Sequence, residues 1–299
     1  MAQLNLPNNQ KHILWSPLPT LRVIPGRHTT HPSDSTYTLR PDQLTRWTDF
    51  PRHVLQRVEN LGTPPQDFRP RTPREYHITG NEGGLQGRYV QHVGTSLGPI
   101  FNALNLGVQM ADYQVGVHID TGSAESKEAM EPGMRQPDLV MIGSSDNVIR
   151  LVGEMKTYWT FYPPKGQSQK RFLAQKLGQL ARYMDDHRCR FGFYSTYEKT
   201  WFLMRSTSTN FLVSEPVLHH QTATETRPSI RQCFLFLAAV VKDHNATYWP
   251  EIYGLRLTNQ PLGDPTREQP SRPGKGTKRT NVDSAEGSFN PGLVGKFWG

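Results

Sequence analysis

The chain has 299 residues, of which 35% are hydrophobic and 20% charged, with a formal net charge of +8 and a mean hydropathy of −0.63. That is enough apolar material for one sizeable core with extensions outside it, and no run approaches the roughly 20 apolar residues of a bilayer span. The basic balance shifts the odds modestly towards a polyanionic partner. Many basic proteins bind no nucleic acid, so charge alone does not name the partner; no membrane is expected.

The two cysteines, Cys189 and Cys233, share no metal-ligand spacing with each other or with histidine, which is the usage of a reduced compartment. The opening Met-Ala-Gln-Leu-Asn-Leu-Pro has no basic region followed by an apolar one, so an intracellular protein, nuclear or cytoplasmic and not secreted, is expected. The sequon Asn245-Ala246-Thr247 then carries no weight.

In chain order, residues 1–73 read as an irregular, proline-punctuated extension with one amphipathic helix over 40–61. Its apolar positions are Leu44, Trp47, Phe50, Val54, Leu55 and Val58, and Pro51 is a break. The folded unit spans 74–256. Within it Asn81 caps a helix from Glu82 to Leu104, with Leu85, Tyr89, Val93, Leu97, Phe101 and Leu104 on one face and Pro99 kinking it or splitting off its last turn. Alternation of Tyr113, Val115, Val117 and Ile119 predicts a strand over 113–120. The runs 137–142 and 148–155, joined by Ser144-Ser145-Asp146-Asn147, form a hairpin. A helix over 167–186 carries the stripe Leu173, Leu177, Leu180 and Met184. Strands over 190–196 and 201–205 and a helix over 230–242 follow. Residues 257–299 are rich in Pro, Gly and basic residues and read as a disordered tail, with the basic cluster Arg272 to Arg279 as a solvated run before a nuclear-targeting or nucleic-acid-binding patch.

The hairpin concentrates the chemistry. Strand side chains alternate, so Glu154 and Lys156 share a face with Val152. Asp138 joins that face only if the hairpin has a five-residue connection, Gly143 to Asn147, or a compensating bulge, because a one-residue slip reverses its side. Two converging carboxylates suit Mg²⁺, which keeps several waters and completes its shell from substrate phosphate. A neighbouring ammonium suits the charge that develops in phosphodiester hydrolysis. On the next helix Gln179 and Tyr183 lie four residues apart on one face, in a sector beside the leucine stripe that also contains Phe172 and Lys176.

Pro137-Asp138, Glu154-Met155-Lys156 and Gln179-Leu-Ala-Arg-Tyr183 together resemble the PD-(D/E)XK nuclease superfamily, the last element being like the Gln-x-x-x-Tyr motif of its RecB-type members. The run from Leu177 to Leu203 looks like PD-(D/E)XK-like domains common in fungal proteins. The resemblance covers residues 80 to 206 and implies a restriction-endonuclease-like α/β fold: an αβββαβ core whose mixed central sheet is flanked by helices. It also implies Asp138 and Glu154 as ligands of Mg²⁺ or Mn²⁺, Lys156 as the catalytic lysine, and Gln179 and Tyr183 as residues that contact substrate or brace the site. A further acid or histidine on the first core helix is Glu82 or His92, with Glu82 preferred. Its capacity to stabilise the helix start and an ordinary surface role for His92 are the plain alternatives.

Lys165, Lys170, Arg171, Lys176 and Arg182 flank the expected site as phosphate contacts or as ordinary exposed cations. Tyr158, Trp159, Phe161 and Tyr162 either stack on bases or, the favoured reading, pack on the N-terminal extension. Asp120 reads as a turn residue before a third carboxylate, Asp185-Asp186 as a solvated helix end, and His219-His220 as loop residues without a metal. The expected function is a metal-dependent nuclease acting on DNA or RNA. The alternative keeps the fold without the reaction, as a nucleic-acid- or protein-binding module.

Overall fold

A computed structural model describes residues 8–30, 38–59, 75–116 and 136–249. The tail over 257–299, the basic cluster Arg272 to Arg279, and Asp120 lie outside these residues. The fold is α/β, with a mixed sheet of eight strands among the described residues, flanked by helices.

The order opens with helix α1 (Asn8–Trp15), strand β1 (Leu44–Arg46) and helix α2 (Phe50–Glu59). Helices α3 (Glu82–Tyr89) and α4 (Ser96–Ala103) come next, joined by a π-helical segment, Val90–Thr95. Then come strands β2 (Val108–Ala111), β3 (Leu139–Gly143) and β4 (Ile149–Met155), helix α5 (Gln169–Asp186), and strands β5 (Phe191–Ser195) and β6 (Lys199–Arg205). Strands β7 (Phe211–Val213) and β8 (Val217–Leu218) and helices α6 (Ile230–Val241) and α7 (His244–Thr247) complete it.

The sheet runs β1-β7-β6-β5-β4-β3-β2, with β8 paired to β6. The β1/β7 and β4/β5 pairs are parallel and the rest antiparallel. A parallel pair needs a crossover, and α5 supplies the one between β4 and β5. Alternation along the strands divides the core in two. Leu139, Met141, Leu151, Met155, Phe193 and Phe202 pack with residues of α1, α2, α3 and α6. On the opposite face Val140, Val152, Tyr194, Trp201 and Leu203 pack against the leucines of α5.

Three expectations are corrected. The expected helix over 40–61 starts later. A 3-10 turn at Pro41–Gln43 leads into β1, because Leu44 to Arg46 find a parallel partner in Phe211 to Val213. Pro51 is no break: it sits in the first turn of α2, where its missing N–H costs nothing. Of the expected strand over 113–120, residues 117–120 lie outside the described residues, and Tyr113–Val115 forms a 3-10 turn that buries Tyr113 and exposes Val115. The strand that pairs with β3 is Val108–Ala111.

The long helix after Asn81 is capped as expected, with Asn81 Oδ1 accepting from Gly84 N at 2.7 Å. Its irregularity lies at Val90–Thr95, ahead of Pro99. The widened turn gives His92 O to the buried Arg231 guanidinium at 2.8 Å.

Candidate active site

The hairpin solves its parity problem by a bulge. At the turn Gly143 N donates to Val148 O, and Ile142 pairs with Ile149. A register of that kind, carried straight through, would turn Asp138 away from Glu154. The ladder shifts between Met141 and Ile142, so that Met141 pairs with Leu151, Val140 with Val152 and Leu139 with Gly153. Arg150 is the extra residue. Its guanidinium is fixed by Asp146 Oδ2 (2.7 Å) and by the carbonyl of Lys242 at the end of α6 (2.7 Å).

Beyond Leu139, Asp138 N donates to Gly153 O at 3.0 Å, and the Asp138 and Glu154 carboxyl groups lie within hydrogen-bonding reach of each other. Asp138 Oδ2 accepts from Met155 N at 2.7 Å, so its carboxylate is held by the backbone of the strand bearing Glu154. Lys156 N extends the ladder to Ser195 O at 2.9 Å. Its ammonium forms an ion pair with Glu154 Oε1 and another with Glu82 Oε1, the second at 3.1 Å. On the side of Gly153 facing away from this cluster, a Cβ would run into the Phe193 ring, so a glycine is required where β4 delivers Glu154.

Glu82 is brought in by the start of α3. Gln86, one turn later and on the same helix face, donates from Nε2 to Asp138 O at 2.5 Å. This tether was not anticipated; its only sequence signal is the four-residue spacing from Glu82. His92, the alternative to Glu82, lies elsewhere and is not a surface residue. It is buried between Glu75 Oε2 (3.2 Å) and the Tyr197 hydroxyl (2.7 Å), and burial lowers its pKa to about 4.

The electrostatics are unbalanced. Burial pushes Asp138 up to about 6, against the pull of Lys156 and the Met155 N–H. Burial, and then the charge of Asp138, push Glu154 up to about 8 despite Lys156. Burial also opposes the Lys156 ammonium, yet Glu154, Glu82 and Asp138 outweigh it and raise its pKa. Among the described residues, Lys156 pairs with Glu154 and Glu82 and feels the charge of Asp138.

On α5, Gln179 Nε2 donates to the Tyr183 hydroxyl at 2.6 Å. Tyr183 is buried in the cluster that contains Val152, on the sheet face that carries Glu154. Lys176 lies over the Phe172 ring at 5.6 Å, and Arg182 pairs with Asp186 at 2.7 Å. Asp185 departs from its expected solvated role: it is fully buried and paired with the equally buried Arg205 at 2.6 Å. Of the aromatics after Lys156, Trp159 meets the N-terminal segment, donating from Nε1 to Thr29 Oγ1 at 3.3 Å. Phe161 instead packs on Phe172, Tyr194 and Trp201.

Among the described residues no group of three His, Cys, Asp or Glu side chains is placed to hold a metal ion. Asp138 and Glu154 are two adjoining carboxylates, and Mg²⁺ commonly takes only one or two from the protein. Their raised pKa values mark a place where added positive charge is favourable. The donor set therefore fits a hard divalent cation held by Asp138 and Glu154, with Glu82 engaged by Lys156. No helix among the described residues is long and apolar enough to cross a membrane. The chain matches no protein-family model, no curated protein and no solved structure.

Proposed function

We propose that the chain is a divalent-cation-dependent nuclease with a restriction-endonuclease-like core, hydrolysing phosphodiester bonds of DNA or RNA. The observation that carries this reading is the bulge at Arg150, which restores the parity that lets Asp138 and Glu154 face the same side next to Lys156. The element order α3/α4, β2, β3, β4, α5, β5 agrees with the αβββαβ core that the motifs imply.

Asp138 and Glu154 would hold Mg²⁺ or Mn²⁺, which supplies an activated water and charge neutralisation at the phosphate when bound. Asp138 is fixed for this by the Met155 N–H, and Glu154 by the rigid, buried strand β4. Lys156, kept charged by its acids, presents N–H donors to the phosphoryl oxygens as negative charge builds there. Glu82 limits where that ammonium can go. Gln179 braces Tyr183 beside the same face, and Lys176 and Arg182 belong to the neighbouring helix as phosphate contacts.

The test is incubation of the purified protein with single- and double-stranded DNA and RNA in Mg²⁺, Mn²⁺ or EDTA, beside Lys156→Ala. Cleavage that needs the cation and vanishes in the variant supports the enzyme. A second reading, a binding module with the same fold, is favoured by the ion pairs that already engage Lys156 with Glu154 and Glu82. Intact substrates in every condition, bound equally by wild type and variant, would establish it.

A further inference from the structure

The centre formed by Glu154 and Lys156 is recessed. Glu154 is 1% exposed, and the Lys156 side chain 12%. The chain around it forms a closed circuit of contacts. Lys156 reaches Glu82; Gly80, two residues earlier, accepts from Thr29 N at 2.9 Å; and Thr29 Oγ1 accepts from Trp159, three residues after Lys156. A Cβ on Gly80 would lie 2.9 Å from Arg27 O, so the N-terminal segment is seated directly against the start of α3. It forms one wall of the site.

That wall carries rings and cations together. Trp159 touches Tyr158 at 4.8 Å and His28 at 5.4 Å between ring centroids. Tyr162 is within electrostatic range of Tyr158 and is 64% exposed. Arg27 and Lys165 are exposed and form no ion pair among the described residues. Trp159 lies within about 11 Å of Lys156 along the chain, the reach of three extended residues.

We propose that this wall binds single-stranded nucleic acid, stacking its bases on Tyr162, Tyr158, Trp159 and His28 while Arg27 and Lys165 hold its phosphates. The assignment rests on the nuclease reading for the meaning of the centre beside it, and adds the strand state of the substrate. Aromatic faces are useful only to unpaired bases, because a duplex keeps its bases stacked on one another. The recessed centre favours the same partner, since a single strand can bend to lead one phosphate inward.

The experiment is fluorescence anisotropy in EDTA, where binding is read without cleavage. It uses labelled single-stranded DNA and RNA of about 12 nucleotides, within the usual site size for such surfaces, and a blunt duplex of the same length. Single strands are expected to bind more tightly than the duplex and to quench Trp159 fluorescence. Tyr162→Ala, at an exposed position outside the core, is expected to weaken single-strand binding about 10-fold and leave the duplex unchanged. Arg27→Ala with Lys165→Ala is expected to weaken both and reduce the salt dependence. Equal affinity for duplex and single strand, or no effect of Tyr162→Ala, overturns the proposal. If that happens while Mg²⁺-dependent cleavage persists, the nuclease reading survives without it. If single strands bind through Tyr162 but nothing is cut in Mg²⁺, the wall stands as a binding site and the nuclease reading fails.

Discussion

Two buried acid clusters lie on the same chain and differ in charge balance. Asp185 and Arg205 form a matched pair, both fully buried, and Arg205 also donates to Ser208 O at 2.9 Å and lies over the Phe211 and Trp249 rings. Among the described residues, Asp138, Glu154 and Glu82 gather around Lys156, and two of these acids have pKa values raised well above the ordinary range. A matched buried pair is a structural device: it costs desolvation, and breaking it costs more. A surplus of carboxylate charge beside a recessed lysine has no such structural benefit. Its physical reward comes only when a cation or a reacting phosphate arrives, which is the behaviour expected of a functional site.

The comparison breaks most sharply at Asp185. Asp185→Ala strands the Arg205 charge in the core and should destabilise the protein by about 3–5 kcal/mol, measured by urea unfolding, without altering the response to Mg²⁺. Lys156→Ala should do the reverse. Cleavage should fall by about 10²–10³-fold, the scale for losing one transition-state donor, with a melting temperature near that of wild type. Equal losses of stability in the two variants would erase the distinction between the clusters.

The pH dependence sharpens it further. The folded pKa values of Asp138 and Glu154 are raised, so the fold favours their protonated forms. The stabilisation this provides is complete below the ordinary carboxylate range of about 4. It is lost as pH rises through about 6 and then about 8. The difference in stability between wild type and Glu154→Gln in EDTA should therefore move against wild type over that interval. Mg²⁺ should recover it, more at about pH 8 than at about pH 5, because the ligands must ionise to bind. Thermal melts across pH with and without Mg²⁺ measure this, and a flat difference would count against the unbalanced cluster. The smallest effect is at Tyr183→Phe, which removes the acceptor for Gln179. A loss of about 1 kcal/mol is expected, again read by urea unfolding.

Much of the site's framework was legible because it rests on local rules. The 18-residue helix α5 followed from its leucine stripe, and its start at Ser168 is an ordinary cap. Asn81 marked the start of α3 in the same way, and the two strands of the hairpin followed from apolar runs around turn residues. Strand β2 was missed because Val108–Ala111 is too short for its alternation to stand out. A strand of four residues is specified by the ladder of β3 more than by its own side chains. Asp185 was misread for a related reason: helix-end rules expect solvent, and its partner lies twenty residues away on β6.

The sequence by itself determined the residue types at the site, their strand and helix carriers, and the condition under which Asp138 and Glu154 share a face. Only the tertiary structure decided how that condition is met. The hairpin turn alone leaves the register on the wrong parity, and the extra residue Arg150 corrects it, anchored by Asp146 and the end of α6. It also decided between Glu82 and His92, placing the first against Lys156 and the second against Glu75 and Tyr197. Both outcomes depend on contacts between segments far apart in the chain, whereas periodicity and capping report only on neighbours within a few residues.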